Sequence, residues 1–473
     1  MCASLTAWCA RFSKKSAGKL KLRKAKGIDE VPAELWRAVI EEDGAGARWI
    51  NGFLNELWEG KQIPQEWRIA RVAAVFKKGD LGDCGKYRPI SLLCVGYKLY
   101  AQILLQRLKD AGAEDRICST QFGFKANTGT DDALLLARLM IQQAVGRKDG
   151  KLLMVALDWA KAFDSIAPER LLKAMLRFGV PAPFVAAVSA IYDQRSFFVR
   201  EVGRDFEYRP QCYGIVQGCP LSPFLFVIAM TCLMHDAEQK VVAKHGGISE
   251  PGLVTRSLLY ADDTLIVDAD REVAQTFVDA IRDAGKEYGL KFNEAKLEVL
   301  AVNHDGEILK EDGRPIKKKD SMNYLGGLLA ADGRIASELA RRIGSAEQSF
   351  KKLVRVWKHA NIAKARKVEI YESCVVSRLL YGLGAAWLNK AERARLDAFH
   401  CRCLRRIMGI SHSYYSRVSN ADVMEAAGSN PLQQKLLQRQ RQLTLYGRIA
   451  VKPPGHPLRR AVLIDGDVQP APL

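Results

Sequence analysis

Apolar positions change their spacing twice along the chain, and each change marks a region. From residue 27 to about 150, three- and four-residue spacings, as in ELWRAVIEEDGAGARWINGFLNELWEG, predict helices around one strand-like run, RIARVAAVF. Between 151 and about 300 the runs KLLMVAL, SFFVREV, SLLYADDTLIVDA and LEVLAV predict strands. They interleave with the helical stretches PERLLKAMLRFG and EVAQTFVDAIRDAGKEYG, the pattern of an α+β sandwich. After Gly333 the spacing is helical throughout, with Arg and Lys opposite the apolar stripe, which predicts a basic helical bundle. The apolar run from Cys219 to Met234 contains Pro220 and Pro223 and falls short of the ~20 residues that cross a bilayer, so it predicts a buried helix and no membrane contact. Residues 1–26 read as a flexible basic lead, and the Pro-rich stretch 454–473 as a disordered tail.

Two features of the middle region do not follow from packing. In LLYADDTLIV, Asp262 and Asp263 fall where a buried hairpin turns, flanked by Leu258, Leu259, Leu265, Ile266 and Val267. A turn prefers Gly, Asn or Asp with positive φ, but two adjacent charges among apolar strands call for a positive partner. Upstream, the strand-like run Leu152 to Leu157 ends in Asp158. Three carboxylates from two strand ends suit two Mg²⁺ ions, with Mn²⁺ the alternative, one activating an attacking hydroxyl and the other steadying a leaving pyrophosphate. That chemistry is nucleotidyl transfer.

Charge agrees with a polyanionic partner. Lys and Arg number 72 against 53 Asp and Glu, a net charge of +19 spread along the chain. The 11 Cys have no repeating spacing, which suits free thiols, and the cluster His400, Cys401, Cys403, His412 is too tight for a zinc finger. The cations near the N-terminus enclose no apolar stretch fit for a signal peptide, so a nuclear and/or cytoplasmic location is expected and secretion is not.

The blocks KAKGIDEVPAEL, RVAAVFKKGD, CGKYRPISLLCVGYKLYAQILLQRL, QFGFKANTGTDDA, LDWAKAFDSI, GIVQGCPLSPFLF, LLYADDTLIV, GLKFNEAKLEVL and NYLGGLL follow one another in order. In that series the chain resembles the reverse transcriptase of non-LTR (LINE-type) retrotransposons. The resemblance implies a right-hand α+β polymerase with an RNA-recognition-like palm sheet. Fingers would occupy 27–150, the palm with metal site and primer grip 151–332, a helical thumb 333–390 and a helical extension 391–453. It implies RNA-directed DNA polymerase activity, with an RNA template, a DNA primer or target and deoxynucleoside triphosphates as partners.

By the same resemblance Asp158, Asp262 and Asp263 are the metal ligands, and Phe163 is a steric gate against a 2′-hydroxyl. Asp164 completes the block as a cap for the helix near Pro168 or a ribose contact. Gln217 and Gly218 would line the nucleotide, with Ser222 and Pro223 opening the buried helix. Lys77 or Lys78, and Arg88, would hold the triphosphate, Arg being the better bidentate partner. Lys296 would protonate departing pyrophosphate, against the plainer reading of an exposed Lys at a strand start, and Tyr324, Leu325 and Gly326 would form the primer grip, against a simple Gly-Gly turn. The chain departs from the family at Lys26, Ile28, Glu30 and Lys125, and shows no upstream endonuclease, Cys-Cys-His-Cys knuckle or RNase H region. A maturase-like or domesticated RNA-binding protein, or a decayed truncated element, is therefore the alternative reading.

Overall fold

The computed structural model describes residues 12–201, 204–250, 253–437, 441–464 and 467–468. In chain order the strands are β1 (Ile69–Phe76), β2 (Tyr87–Leu92), β3 (Leu152–Leu157), β4 (Ser196–Glu201), β5 (Arg204–Asp205), β6 (Arg209–Pro210), β7 (Ser257–Tyr260), β8 (Asp263–Asp268), β9 (Glu298–Val302), β10 (Lys317–Lys319), β11 (Ser321–Tyr324), β12 (Gly327–Ala330), β13 (Leu463–Ile464) and β14 (Asp467–Val468). Helices fill most of the remainder, so the α+β expectation holds.

The chain divides into two units, each assembled from three separate segments. One comprises Met1–Ala126, Asp158–Lys244 and Phe277–Asn293. The other comprises Asn127–Leu157, His245–Thr276 and Glu294–Leu473. The linear regions read from apolar spacing therefore do not coincide with the compact units, because strand pairing joins residues far apart in sequence.

In the first unit β2, β1, β4 and β5 form a sheet, with β6 also on β4; β1 runs antiparallel to β2 and parallel to β4. This corrects the grouping of SFFVREV with the strands of the acidic hairpin: Ile69 to Val72 align with Ser196 to Val199 instead. The missed strand is β2, whose Pro89 is tolerated because β2 is an edge that needs no second ladder. The basic lead is also not free from residue 12 onward. Residues 12–17 are helical, Phe12 and Ala17 are buried, and Lys19 Nζ donates to Gln106 Oε1 at 2.6 Å. The apolar stretch around Phe224 is a buried helix, Ser222–His245, opened by Ser222 and Pro223 as expected. Among the described residues no helix is long and apolar enough to cross a membrane.

The second unit is organised around the sheet β10-β9-β3-β8-β7. Its centre, β3, is antiparallel to both β8 and β9, and Leu152 to Val155 are all buried. Successive side chains of a strand point to opposite faces, so burial of four in a row shows that both faces are covered. After the hairpin β11–β12 come the helices Ala336–Trp357, Lys364–Tyr371 and Lys390–Met408, sharing a core that includes Phe350, Tyr371, Leu396 and Leu404. The tail expectation is corrected at its start. Pro457–Val462 is a helix capped by the His456 side chain, with Leu458 fully buried, because its apolar face packs against the helix Thr130–Val145.

Candidate active site

In the second unit β7 and β8 form a hairpin in which Tyr260 pairs with Asp263, leaving Ala261 and Asp262 as the turn. The positive φ falls on buried Ala261 (57°) and not on an Asp. A non-glycine residue in this conformation costs on the order of 1 kcal/mol, so the ladder on either side must hold it there. Such retained strain is a common property of functional turns. Asp262 is half-buried and Asp263 exposed. On the other side of β8, the register with β3 sets Thr264 against Leu157, the residue before Asp158.

Among the described residues no three Asp, Glu, His or Cys side chains are gathered closely enough to hold a metal ion. The donor set still fits a hard divalent cation, since Asp262 and Asp263 offer only oxygens. The Tyr324 hydroxyl is buried and has no hydrogen-bond partner among the described residues. Burial, and then the charge of Asp263, push its phenol well above the ordinary range. Asp263 is thus felt by the hairpin expected to support a primer.

That hairpin, β11–β12, turns at Leu325 (φ 47°) and Gly326 (φ 73°). Two consecutive positive φ values match the type I′ turn that suits strand twist. The turn is Leu-Gly and not Gly-Gly, since Gly327 is already in β12, with Leu134 too near for a side chain there. Sequence reasoning missed what holds it. Tyr381 donates to the Leu325 carbonyl at 2.9 Å, Arg341 donates to the Gly326 carbonyl at 2.8 Å, and Arg342 donates to the same oxygen. Both arginines bond the buried Glu338. Nothing in the spacing of ELARRIG singles out a carboxylate that acts on a loop before it. Lys296 is exposed at a bend two residues before β9, so it does not start that strand.

The first unit gathers the residues expected to meet the nucleotide. Gln217 Nε2 donates to Asp164 Oδ1 at 3.0 Å, and the Ser91 N–H donates to the Gln217 carbonyl at 2.9 Å. Gly218 has φ 129°, and a Cβ there would lie 2.4 Å from the Ser91 carbonyl oxygen. Only glycine fits. Ile215 N–H donates to the Phe163 carbonyl at 2.6 Å, and the Phe163 ring stacks on Phe226 with centroids 4.4 Å apart.

Asp164 is not the cap of the helix Pro168–Phe178, whose capping position is Ala167. It sits in the short helix Ala162–Ser165, bound to Gln217 instead. Although it stands at the surface, desolvation raises its carboxyl, and the Gln217 bond and the charges of Lys161 and Lys77 oppose that. Lys77 and Lys78 are both exposed just past β1, and the charge of Lys77 reaches Asp164. Arg88 is exposed on β2, opposite Val75. Asp158, half-buried, accepts from the Asn293 N–H at 2.7 Å through its carbonyl, and Trp159 packs on Phe292.

His400, Cys401 and Cys403 are core residues: His400 is bonded by Tyr371 and Ser429, and both thiols are buried.

An α+β chain with a strained acidic hairpin on its central sheet and a glycine-backed Gln-Asp pair in its other unit has the parts of a template-directed polymerase. The family model described as reverse transcriptase (RNA-dependent DNA polymerase) matches residues 75–329, more than half of the chain. The chain belongs to the reverse transcriptase family, and the right-hand polymerase fold comes with it.

It is 26% identical over 414 residues to the RNA-directed DNA polymerase from mobile element jockey of Drosophila melanogaster, covering 83% of this chain and 43% of that protein. It is 26% identical to the Pol polyprotein from type-2 retrotransposable element R2DM of the same species, covering 71% and 32%, and 25% identical to that of element R2 from Popillia japonica, covering 68% and 45%. These are non-LTR elements, as the ordered blocks implied. The chain spans less than half the length of each. Telomerases from Candida tropicalis and Candida albicans align at 12% identity with TM-scores of 0.39 and 0.43, covering 65% and 84% of this chain and 62% and 69% of theirs, too remote to carry weight. Reverse transcriptases use divalent metal.

Proposed function

We propose that the chain adds deoxynucleotides to a primer 3′-hydroxyl on an RNA template, by in-line attack on the α-phosphate of a deoxynucleoside triphosphate. The observation that supports this most is the family match over residues 75–329, which takes in the β7–β8 hairpin with Asp262 in its turn and Asp263 just past it, and the strand β3 that leads into Asp158. Asp158, Asp262 and Asp263 would hold two Mg²⁺ ions, or Mn²⁺ in their place, which when bound neutralise phosphate charge and lower the pKa of the attacking hydroxyl.

The chain's own residues do the positioning on which phosphoryl transfer depends. Arg88 and Lys77 grip the triphosphate, with Lys78 beside them. Gln217 and Gly218 let the backbone approach template and nucleotide, and the stacked Phe163 excludes a 2′-hydroxyl. Tyr324, Leu325 and Gly326 support the primer end, and Lys296 gives a proton to departing pyrophosphate. Such work on RNA and target DNA places the protein in the nucleus and/or cytoplasm.

Primer extension on RNA and DNA templates tests this directly. Asp262→Asn should lower extension in Mg²⁺ by about a hundredfold or more while thermal unfolding stays put. Full activity in that variant would sink the assignment.

A further inference from the structure

Beyond the polymerase reading, the second unit carries a surface that this chemistry does not use. Tyr414 and Tyr415 are adjacent, 68% and 78% exposed, and set edge to face with ring centroids 5.3 Å apart. A single exposed aromatic is ordinary, but two neighbours held out together are not. The loop that presents them is fastened. Arg405, itself buried, donates to the Ser411 carbonyl at 3.0 Å, Ser416 Oγ at 3.5 Å, the Val418 carbonyl at 2.7 Å and Asn420 Oδ1 at 3.0 Å. His412 Nδ1 accepts from the Tyr414 N–H at 3.3 Å, and Arg417 lies with its guanidinium 5.5 Å from the Tyr414 ring. A buried guanidinium spending all these bonds on one loop pre-organises the rings in water, where hydrophobic packing gives no reason for them to be.

Along the chain, the charge on either side of them has one sign. Residues 398–421 include Arg402, Arg405, Arg406 and Arg417 and no Asp or Glu. The next acid, Asp422, is turned to capping: its carboxylate accepts from the Ser419 N–H at 3.0 Å. Rigid exposed rings with an arginine against one of them suit a strand whose bases are unpaired, since every base has a face to stack and every link a phosphate. A duplex hides its faces and offers the rings nothing.

We propose that Tyr414 and Tyr415, with Arg417, form a stacking platform for single-stranded RNA. Stacking displaces no counterions and phosphate contact does, so the two contributions separate in a salt titration. Fluorescence anisotropy with a labelled unstructured RNA of mixed sequence, in EDTA so that no extension occurs, reads the binding apart from polymerase chemistry. Tyr414→Ala/Tyr415→Ala should weaken binding by about tenfold or more with the slope of log affinity against log salt unchanged. Tyr414→Phe/Tyr415→Phe should restore it, and Arg417→Gln should reduce that slope by about one. Affinity for blunt duplex should be the same in all variants. Wild-type RNA affinity in the double alanine variant overturns the proposal, as does a loss equal for duplex and single strand; the first result would leave the rings to a protein partner.

Discussion

At the scale of single residues, two backbone positions shape the candidate site. Ala261 holds a left-handed turn without glycine's freedom, which aims Asp262 and Asp263 off the end of a buried hairpin. Gly218 faces the Ser91 carbonyl so closely that a methyl group would occupy the same space, at a φ that side chains rarely adopt. Relief would require the 217–218 segment to leave β2, breaking the Ser91–Gln217 bond and with it the Gln217–Asp164 pair. Gly218→Ala is therefore expected to cost about 2 kcal/mol or more in urea unfolding and to abolish extension. A variant with wild-type stability would show that the loop relaxes freely.

At the scale of elements, the hairpin β11–β12 depends on a helix it precedes. Its turn carbonyls point at Tyr381, Arg341 and Arg342, and Glu338 fixes both guanidiniums. A two-stranded hairpin is marginal on its own, so these bonds set the angle at which Tyr324 and Leu325 meet whatever lies before them. Removing one hydroxyl tests this mildly. Tyr381→Phe keeps the ring over Arg342 and loses the bond to the Leu325 carbonyl, at a stability cost of about 1 kcal/mol. Steady-state extension should show a raised KM for primer-template, with a smaller change in KM for the nucleotide. Equal changes in both would argue that the hairpin does not hold the primer.

At the scale of the whole molecule, a buried imidazole in the helical region makes stability depend on acid. His400 Nδ1 lies 2.9 Å from the Tyr371 hydroxyl and Nε2 3.1 Å from Ser429 Oγ. Ser429 donates to Glu372 and accepts from Lys435, so the network assigns the proton to Nε2 and leaves Nδ1 to accept from Tyr371. Burial first, and the Lys435 charge second, lower the imidazole pKa from 6.5 to about 4, against a smaller opposing effect of Glu372. The unfolded chain then binds a proton that the folded one refuses. The stability from neutral His400 is complete above pH 6.5 and is lost as pH falls toward 4, by about 3 kcal/mol in all. Urea titrations at pH 5 and 7.5 should show a smaller difference for His400→Gln than for the native chain. An unchanged difference would place the acid sensitivity elsewhere.

By itself the sequence determined the family and marked the candidate carboxylates. Apolar alternation broken by Asp158, Asp262 and Asp263 marks charge that packing does not ask for, and β3, β7, β8, the buried helix at Ser222 and the later helices all announce themselves by period. These are local signals, written in residues a few positions apart. Tertiary structure alone decided the rest, because it turned on pairing and contact between distant segments. It moved β4 beside β1, let a proline strand form at a sheet edge, tied Asp164 to Gln217, docked the helix Pro457–Val462 on Thr130–Val145, and fastened the 411–420 loop with Arg405 so that two tyrosines stand in solvent. Period reports which face of an element is apolar; which neighbour covers that face is fixed only when the chain closes on itself.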